Sequence, residues 1–295
     1  MLSGILPVDK PADYTSFDVV AVLRRLSGER RIGHTGTLDP MATGVLPILF
    51  GKCTRLLPLL PTEDKAYLAS FQLGLTTDTE DSTGTVLERK PVTASKSDVE
   101  AVLRSMEGPQ LQLPPMYSAV KKDGVRLYKL AREGKEVERE PRSIAIHSIR
   151  LVSCRQEAGE YTMEVRCSKG TYIRSLCRDI GEQLACGAVM TDLRRTMACG
   201  FSLSECRPLD ELRAMNREEL LGAIHSPESA LLGYPELTVS AAQASRFQNG
   251  GGLSFERLSL EEPSGLYRVY APGHSLLGLG NADPEKGELK VKCHL

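Results

Sequence analysis

Three stretches of this chain alternate apolar and polar residues with a period of two, and that alternation does most to limit what the chain can become. In KAYLASFQLG, Tyr67, Ala69, Phe71 and Leu73 share one side. In YTMEVRCS, Tyr161, Met163, Val165 and Cys167 face one way while Thr162, Glu164 and Arg166 face the other. SIAIHSIRLV, beginning at Ser143, alternates as well. Each reads as a strand with one face buried. Turns join these strands and a few helical stretches stand among them, which predicts an α+β chain built on a largely antiparallel sheet.

The helical stretches carry their own punctuation. Thr15-Ser-Phe-Asp18 is a capping-box pattern opening SFDVVAVLRRL, where Phe17, Val20, Leu23 and Leu26 recur at helical spacing. Ser97 to Glu100 predicts the cap of a second helix through Met106, stopped by Gly108-Pro109. IRSLCRDIGEQLAC predicts a third, with Ile173, Leu176, Cys177, Ile180 and Leu184 inward and Gly187 at its end. A polar helical stretch at 208–224 precedes a composition shift near Gly233-Tyr-Pro235. The chain therefore divides into 1–232 and a glycine-rich 233–295 whose short alternating runs suggest a small β domain. Residues 109–142 carry prolines, glycine breaks and dense mixed charge, the mark of an exposed arm.

Lys and Arg number 37 against 38 Asp and Glu, and the imbalance is local. Residues 119–178 hold 14 basic and 8 acidic side chains, enough to present a positive face to a polyanion. Eight cysteines include no C-x-x-C pair, so neither a zinc site nor a disulfide framework is expected. No apolar run reaches the roughly 18 residues of a membrane span. The start MLSGILPVDKP lacks a basic segment followed by a sustained apolar one, and a reducing cytoplasm is expected.

One stretch stands apart: GHTGTLDPMATGVLP, residues 33–47, where glycines and prolines surround a lone carboxylate, Asp39. Gly33-His-Thr-Gly36 fits the G-x-x-G of a KH loop, but Leu38-Asp39-Pro40 breaks helix where that loop needs one. No G-K-[ST] follows, so it is not a phosphate loop. By itself Asp39 reads as the carboxylate of an Asx-turn, and His34, Tyr67 and Arg174 taken singly read as structural residues.

Taken together they resemble one family. GILPVDKPADYTSFDVV, RIGHTGTLDPMATGVLPILFGKCTRL, DKAYLASFQLGLTTDTEDSTG, PPMYSAVKKDGVRLYKLAREG and VRCSKGTYIRSLCRDIGEQLACGAVMTDLRRT follow in order the pattern of TruB, the bacterial tRNA pseudouridine synthases. The chain is also similar, more distantly, to dyskerin-type synthases. TVSAAQASRFQNGG loosely resembles the family's C-terminal PUA-like domain. Thr37 stands where alanine is common in the family.

The resemblance implies a pseudouridine synthase fold, a mixed but mostly antiparallel central sheet with flanking helices, and a small C-terminal PUA-like β domain at 233–295. It implies isomerisation of the T-loop uridine of tRNA (position 55) with Asp39 as nucleophile. His34 then matches the histidine that wedges into the T-loop, Tyr67 the tyrosine that stacks on the target base, and Tyr172 a tyrosine of the pocket. Arg174 matches the arginine paired with the aspartate, and Leu193 an apolar wall. Phosphate contacts are expected from Lys121, Lys122, Arg126 and Lys129 in the arm, and from Lys169, Arg194 and Arg195. Isomerising uridine breaks a C1′–N1 bond and makes a C1′–C5 bond with no redox change, so no metal or cofactor is expected. The partner is the T-arm of tRNA, met by a monomer without guide RNA. Two other readings stay open: a tRNA-folding protein whose pocket is secondary, and a subunit of a guide-RNA particle.

Overall fold

A computed structural model describes residues 2–61, 64–260 and 263–295. The chain groups into two compact units. One comprises Met1–Asp39, Leu46–Thr62 and Cys199–Leu295, the other Pro40–Val45 and Glu63–Ala198.

In the first unit, β1 (Gly4–Lys10) is buried along nearly its whole length and pairs in parallel with Arg207–Pro208. Helix α1 (Ser16–Ser27) starts at the expected capping box: the Asp18 N–H donates to the Thr15 hydroxyl at 3.1 Å, and the Thr15 N–H donates to the Asp18 carboxylate at 2.8 Å. Gly28, at φ 73°, ends it in the left-handed conformation that glycine adopts without penalty. The buried stripe is Ser16, Val19, Val20, Leu23 and Ser27. Phe17 lies outside that stripe and is 63% exposed, a correction to its place on the apolar face. The stripe centres on Ser16, and the next residue sits roughly 100° further round the helix. The Arg24 guanidinium covers part of the ring instead, 6.0 Å from its centroid. β2 (Ile32–His34) pairs antiparallel with β3 (Thr43–Phe50), Ile32 opposite Phe50 and His34 opposite Ile48. The glycine-rich stretch is thus the connection of a hairpin.

The 208–224 stretch forms two short helices, Leu209–Ala214 and Arg217–Gly222, separated where Asn216 caps the second. Beyond them a separate sheet has the order Glu236–Thr238, Leu266–Ala271, Ser275–Asp283, Glu288–His294, Leu253–Ser254. The helix Ala241–Gln248 packs on it around Phe247, Val269, Leu277 and Leu289.

The second unit contains β4 (Lys65–Leu73), β5 (Leu75–Thr77), β6 (Val86–Arg89), α2 (Lys96–Ser105) and β7 (Gly108–Gln112). The arm follows, with β8 (Lys121–Lys122), β9 (Val125–Arg126) and α3 (Leu127–Arg132). Then come β10 (Arg142–Arg155), β11 (Glu160–Cys167), α4 (Ile173–Gln183) and β12 (Ala188–Ala198). The strands lie in the order β3-β12-β4-β11-β10-β7, with β3 parallel to β12 and the other neighbours antiparallel. The predicted inward faces hold: Tyr67, Ala69, Phe71 and Leu73 on β4, and Tyr161, Met163, Val165 and Cys167 on β11, are all buried.

Helix α2 starts two residues before the expected cap. Ser95 and Ser97 each have an acid three positions on, and Ser95 prevails because Asp98 accepts from both its N–H (2.8 Å) and its hydroxyl (2.7 Å). Gly44 sits opposite Arg195 on β12 at φ +103°, where a Cβ would stand 2.2 Å from the Arg195 carbonyl oxygen. Only glycine fits there.

Candidate active site

Asp39 is half-buried in the hairpin connection between β2 and β3. Two contacts fix that connection within the first unit. The Thr35 N–H donates to the Pro47 carbonyl at 3.1 Å. The Leu38 N–H donates to the Ser16 hydroxyl at 2.8 Å, and the same hydroxyl lies 3.4 Å from the Leu38 carbonyl oxygen. Ser16 and Leu38 are both buried, so the residue before Asp39 is locked to the first turn of α1. That turn is itself held from behind. The buried Lys10 ammonium donates to the carbonyls of Pro11 (2.8 Å) and Tyr14 (2.6 Å), shaping the bend into Thr15. His34 ends β2, half-buried.

In the second unit, antiparallel pairing sets Tyr67 opposite Arg195 and Ala69 opposite Leu193. Directly opposed side chains share a face, so Tyr67, Leu193 and Arg195 stand on one side of the β4–β12 pair. Tyr67 and Leu193 are nearly enclosed. An aromatic ring beside an aliphatic wall can receive a flat base by stacking.

Tyr172 is the N-cap of α4 and Arg174 lies in its first turn. Arg174 is buried, and its guanidinium donates to the carbonyls of Thr79 (3.0 Å) and Tyr117 (2.9 Å). It also lies 3.7 Å from the carboxylate of Asp81. Asp81 is buried in turn and accepts from the Thr83 N–H (3.0 Å) and the Thr79 hydroxyl (2.8 Å). A fixed positive charge of this kind orients and stabilises an anion placed before it.

One turn along α4 a second arginine repeats the pattern. Arg178 pairs with Glu80 and with Asp179, and Glu80 also accepts from the Ser175 hydroxyl at 2.6 Å. Burial pushes the Asp179 carboxyl above its ordinary range despite the adjacent Arg178, while Glu80 and Asp179 raise Arg178 further against its own burial. Sequence reasoning did not single out Asp81, Glu80, Arg178 or Gln112. For Glu80 and Asp81 the available signal was the acid-bearing Ser/Thr turn TDTEDSTG, a composition that builds local side-chain-to-backbone hydrogen bonds; Arg178 and Gln112 had none.

The arm displays its basic residues. Lys121, Arg126 and Lys129 are exposed, and Lys122 is half-buried with its ammonium on the Glu138 carbonyl at 2.6 Å. Arg126 and Arg132 both approach the Tyr128 ring, at 6.0 and 5.5 Å from its centroid. Lys169 is exposed in the turn before α4, and Arg194 is half-buried with a nitrogen 3.2 Å from the Thr43 hydroxyl. Arg195 requires correction. It is fully buried, its Nε donating to the Val45 carbonyl at 2.7 Å, and a phosphate does not reach a side chain enclosed in the sheet. It is structural.

The cysteines are free thiols, six of them buried. Burial pushes Cys53 and Cys167 up to about 11, which keeps them as unreactive thiols at neutral pH. Among the described residues, no group of three or more His, Cys, Asp and Glu is placed to hold a metal ion. No helix is long and apolar enough to cross a membrane, again among the described residues.

A mixed, mostly antiparallel sheet flanked by helices, followed by a separate small C-terminal sheet, is the architecture of a pseudouridine synthase. A solved structure described as a Cbf5–Nop10–Gar1 complex shares this architecture, with a TM-score of 0.75 at 26% identity over 99% of this chain and 84% of that one. Residues 24–173 match the TruB family pseudouridylate synthase N-terminal domain, and residues 174–232 match the tRNA pseudouridylate synthase B C-terminal domain. The chain belongs to the TruB family of pseudouridylate synthases. It is 42% identical to tRNA pseudouridine synthase B of Clostridium kluyveri over 95% of each chain. It is 43% identical to that of Pseudomonas fluorescens Pf0-1 over 96% of this chain and 93% of that one.

Proposed function

We propose that this chain, a tRNA pseudouridine synthase, acts on the T-loop uridine and uses Asp39 as its nucleophile. The uridine leaves its stack, with His34 taking its place in the loop. Tyr67 and Tyr172 receive the base against Leu193. The Asp39 carboxylate forms a bond to the nucleoside, the C1′–N1 bond breaks, and the freed base turns. C5 then bonds to C1′, C5 loses its proton, N1 ends protonated, and the carboxylate leaves unchanged. Atoms and electrons balance without an external reductant or oxidant. In this reading Arg174 supplies the positive charge that favours the ionised nucleophile.

The observation that carries this reading is the setting of Asp39 in GHTGTLDP, on a hairpin connection pinned at Leu38 by the buried Ser16 hydroxyl. Residues 1–232 form the catalytic domain in this reading, and the arm at 109–142 clasps the T-arm through Lys121, Lys122, Arg126 and Lys129. Lys169 and Arg194 add phosphate contacts, and 233–295 serves as a PUA-like RNA-binding domain. The protein works as a monomer in the cytoplasm, without a guide RNA.

The test is turnover on an unmodified tRNA transcript with no guide, read by mapping pseudouridine. Asp39→Asn should keep the fold and tRNA binding and lose turnover, since the amide is nearly isosteric but is no nucleophile. Appreciable turnover by that variant, shown free of deamidation, would refute the assignment. A wild-type protein that binds and refolds the transcript without modifying it would leave only a folding role.

A further inference from the structure

Gln112 closes β7 and is buried at 3% exposure. Its side-chain amide faces the main chain of a residue 60 positions away: Nε2 donates to the Tyr172 carbonyl at 3.0 Å, and Oε1 accepts from the Tyr172 N–H at 2.8 Å. One amide thus meets both main-chain polar groups of one residue, as a neighbouring strand would. Tyr172 is the N-cap of α4 and makes no capping hydrogen bond with its own side chain. The start of α4 is therefore held from outside the helix.

The same segment roots the arm. The next residue, Leu113, accepts from Arg178 at 3.3 Å through its carbonyl, and the Tyr117 carbonyl accepts from Arg174 at 2.9 Å. From the far end of the arm, Arg139 donates to the Pro114 carbonyl at 3.0 Å. Gln112, Leu113 and Tyr117 are thus stitched to Tyr172, Arg178 and Arg174 along one side of α4.

We propose that Gln112 is a positioning residue that sets where the Tyr172 ring stands and couples that position to the root of the arm. The proposal rests on the reading of Tyr172 as a residue of the base pocket. Removing both bonds frees the start of α4 to shift by a fraction of an ångström or more. Misplacement on the scale of 1 Å costs on the order of a hundredfold in rate.

The experiment is a double-mutant cycle on kcat and KM with a tRNA transcript, using Gln112→Met, Tyr172→Ala and the pair. Gln112→Met should lower kcat about tenfold or more with KM for tRNA within about twofold, and should add less than about twofold in the Tyr172→Ala background. Where the methionine variant does not fold, Gln112→Glu replaces it. That variant keeps the acceptor for the Tyr172 N–H, so its loss should be smaller and again vanish without the Tyr172 ring. An impaired Tyr172→Ala enzyme in which the Gln112 substitution costs the same factor again overturns the proposal alone. So does a rise in KM with kcat unchanged. A fully active Tyr172→Ala enzyme overturns the pocket reading, and the proposal with it.

Discussion

The Asp39 segment and the start of α4 fix their key residues in different ways. The segment is fixed through its backbone: β2 pairs with β3, Thr35 bonds to Pro47, and Leu38 is held by the Ser16 hydroxyl. Arg174 is fixed through its own side chain, by the Thr79 and Tyr117 carbonyls and the nearby Asp81 carboxylate. The contrast follows from the chemistry proposed for each. A group that must form and break a bond is best aimed by the chain that carries it. A group that supplies a fixed charge can have its donors engaged by the protein.

That contrast predicts unequal tolerance to conservative change. Arg174→Lys should be the most damaging of these substitutions. One ammonium cannot serve two carbonyls and hold a planar anion, so kcat should fall about a hundredfold. Stability should fall by about 1–3 kcal/mol, because buried carbonyls lose their donor. Steady-state kinetics and denaturant unfolding check both; a lysine enzyme of near-normal kcat would break the comparison.

Ser16→Ala tests the other side. The Leu38 N–H loses its acceptor while Asp39 itself is untouched. We expect about 1 kcal/mol of stability lost. A fall of about tenfold in kcat at unchanged tRNA affinity should accompany it. Loss of stability with full kcat would show that the serine only packs.

The arm extends the contrast outward, since its root is tied to α4 while its basic residues reach solvent. Neutralising Lys121, Lys122, Arg126 and Lys129 together should weaken tRNA binding with little change in kcat. The slope of log affinity against log salt should drop by about one for each phosphate that is no longer neutralised. An unchanged slope would make the arm a solvated loop.

The smallest effect concerns acid, and here the two regions should respond with opposite sign. The Thr15 cap holds Asp18 below the ordinary aspartate value of 3.8, mainly through the hydroxyl and backbone hydrogen bonds. Its folded pKa is depressed, so its contribution is present above pH 3.8 and lost as pH falls through the folded value. Burial raises Asp179 above the same 3.8, with Arg178 opposing. Its folded pKa is elevated, so its contribution is present below pH 3.8 and lost as pH rises through the folded value. Asp18→Asn should therefore flatten the acid limb of the stability curve, and Asp179→Asn should raise stability near neutrality relative to acid. Unfolding midpoints measured from neutral pH down to below pH 3.8 distinguish these slopes; parallel curves for wild type and both variants would refute the assignment.

Local pattern determined much of the protein. Period-two alternation gave β4 and β11 their buried faces, because side-chain direction in a strand depends only on position along it. The Thr15–Asp18 box and Gly28 delimit α1 by hydrogen bonds and dihedrals reaching no further than four residues. The family-specific blocks single out Asp39, Tyr67, Tyr172, Arg174 and Leu193 as candidates, and their roles stand as proposals. What tertiary structure alone decided depends on residues distant in sequence. Phe17 turned outward because the packing of α1 follows Ser16 and Val20, and periodicity cannot tell which edge of an apolar stripe meets the core. Arg195 became structural because β3 and β4 flank β12 and enclose it, which a charge count does not register. Gln112 and Asp81 matter through partners 60 and 93 positions away, at Tyr172 and Arg174. A buried polar side chain shows its role only when the fold reveals which backbone groups or charges it satisfies.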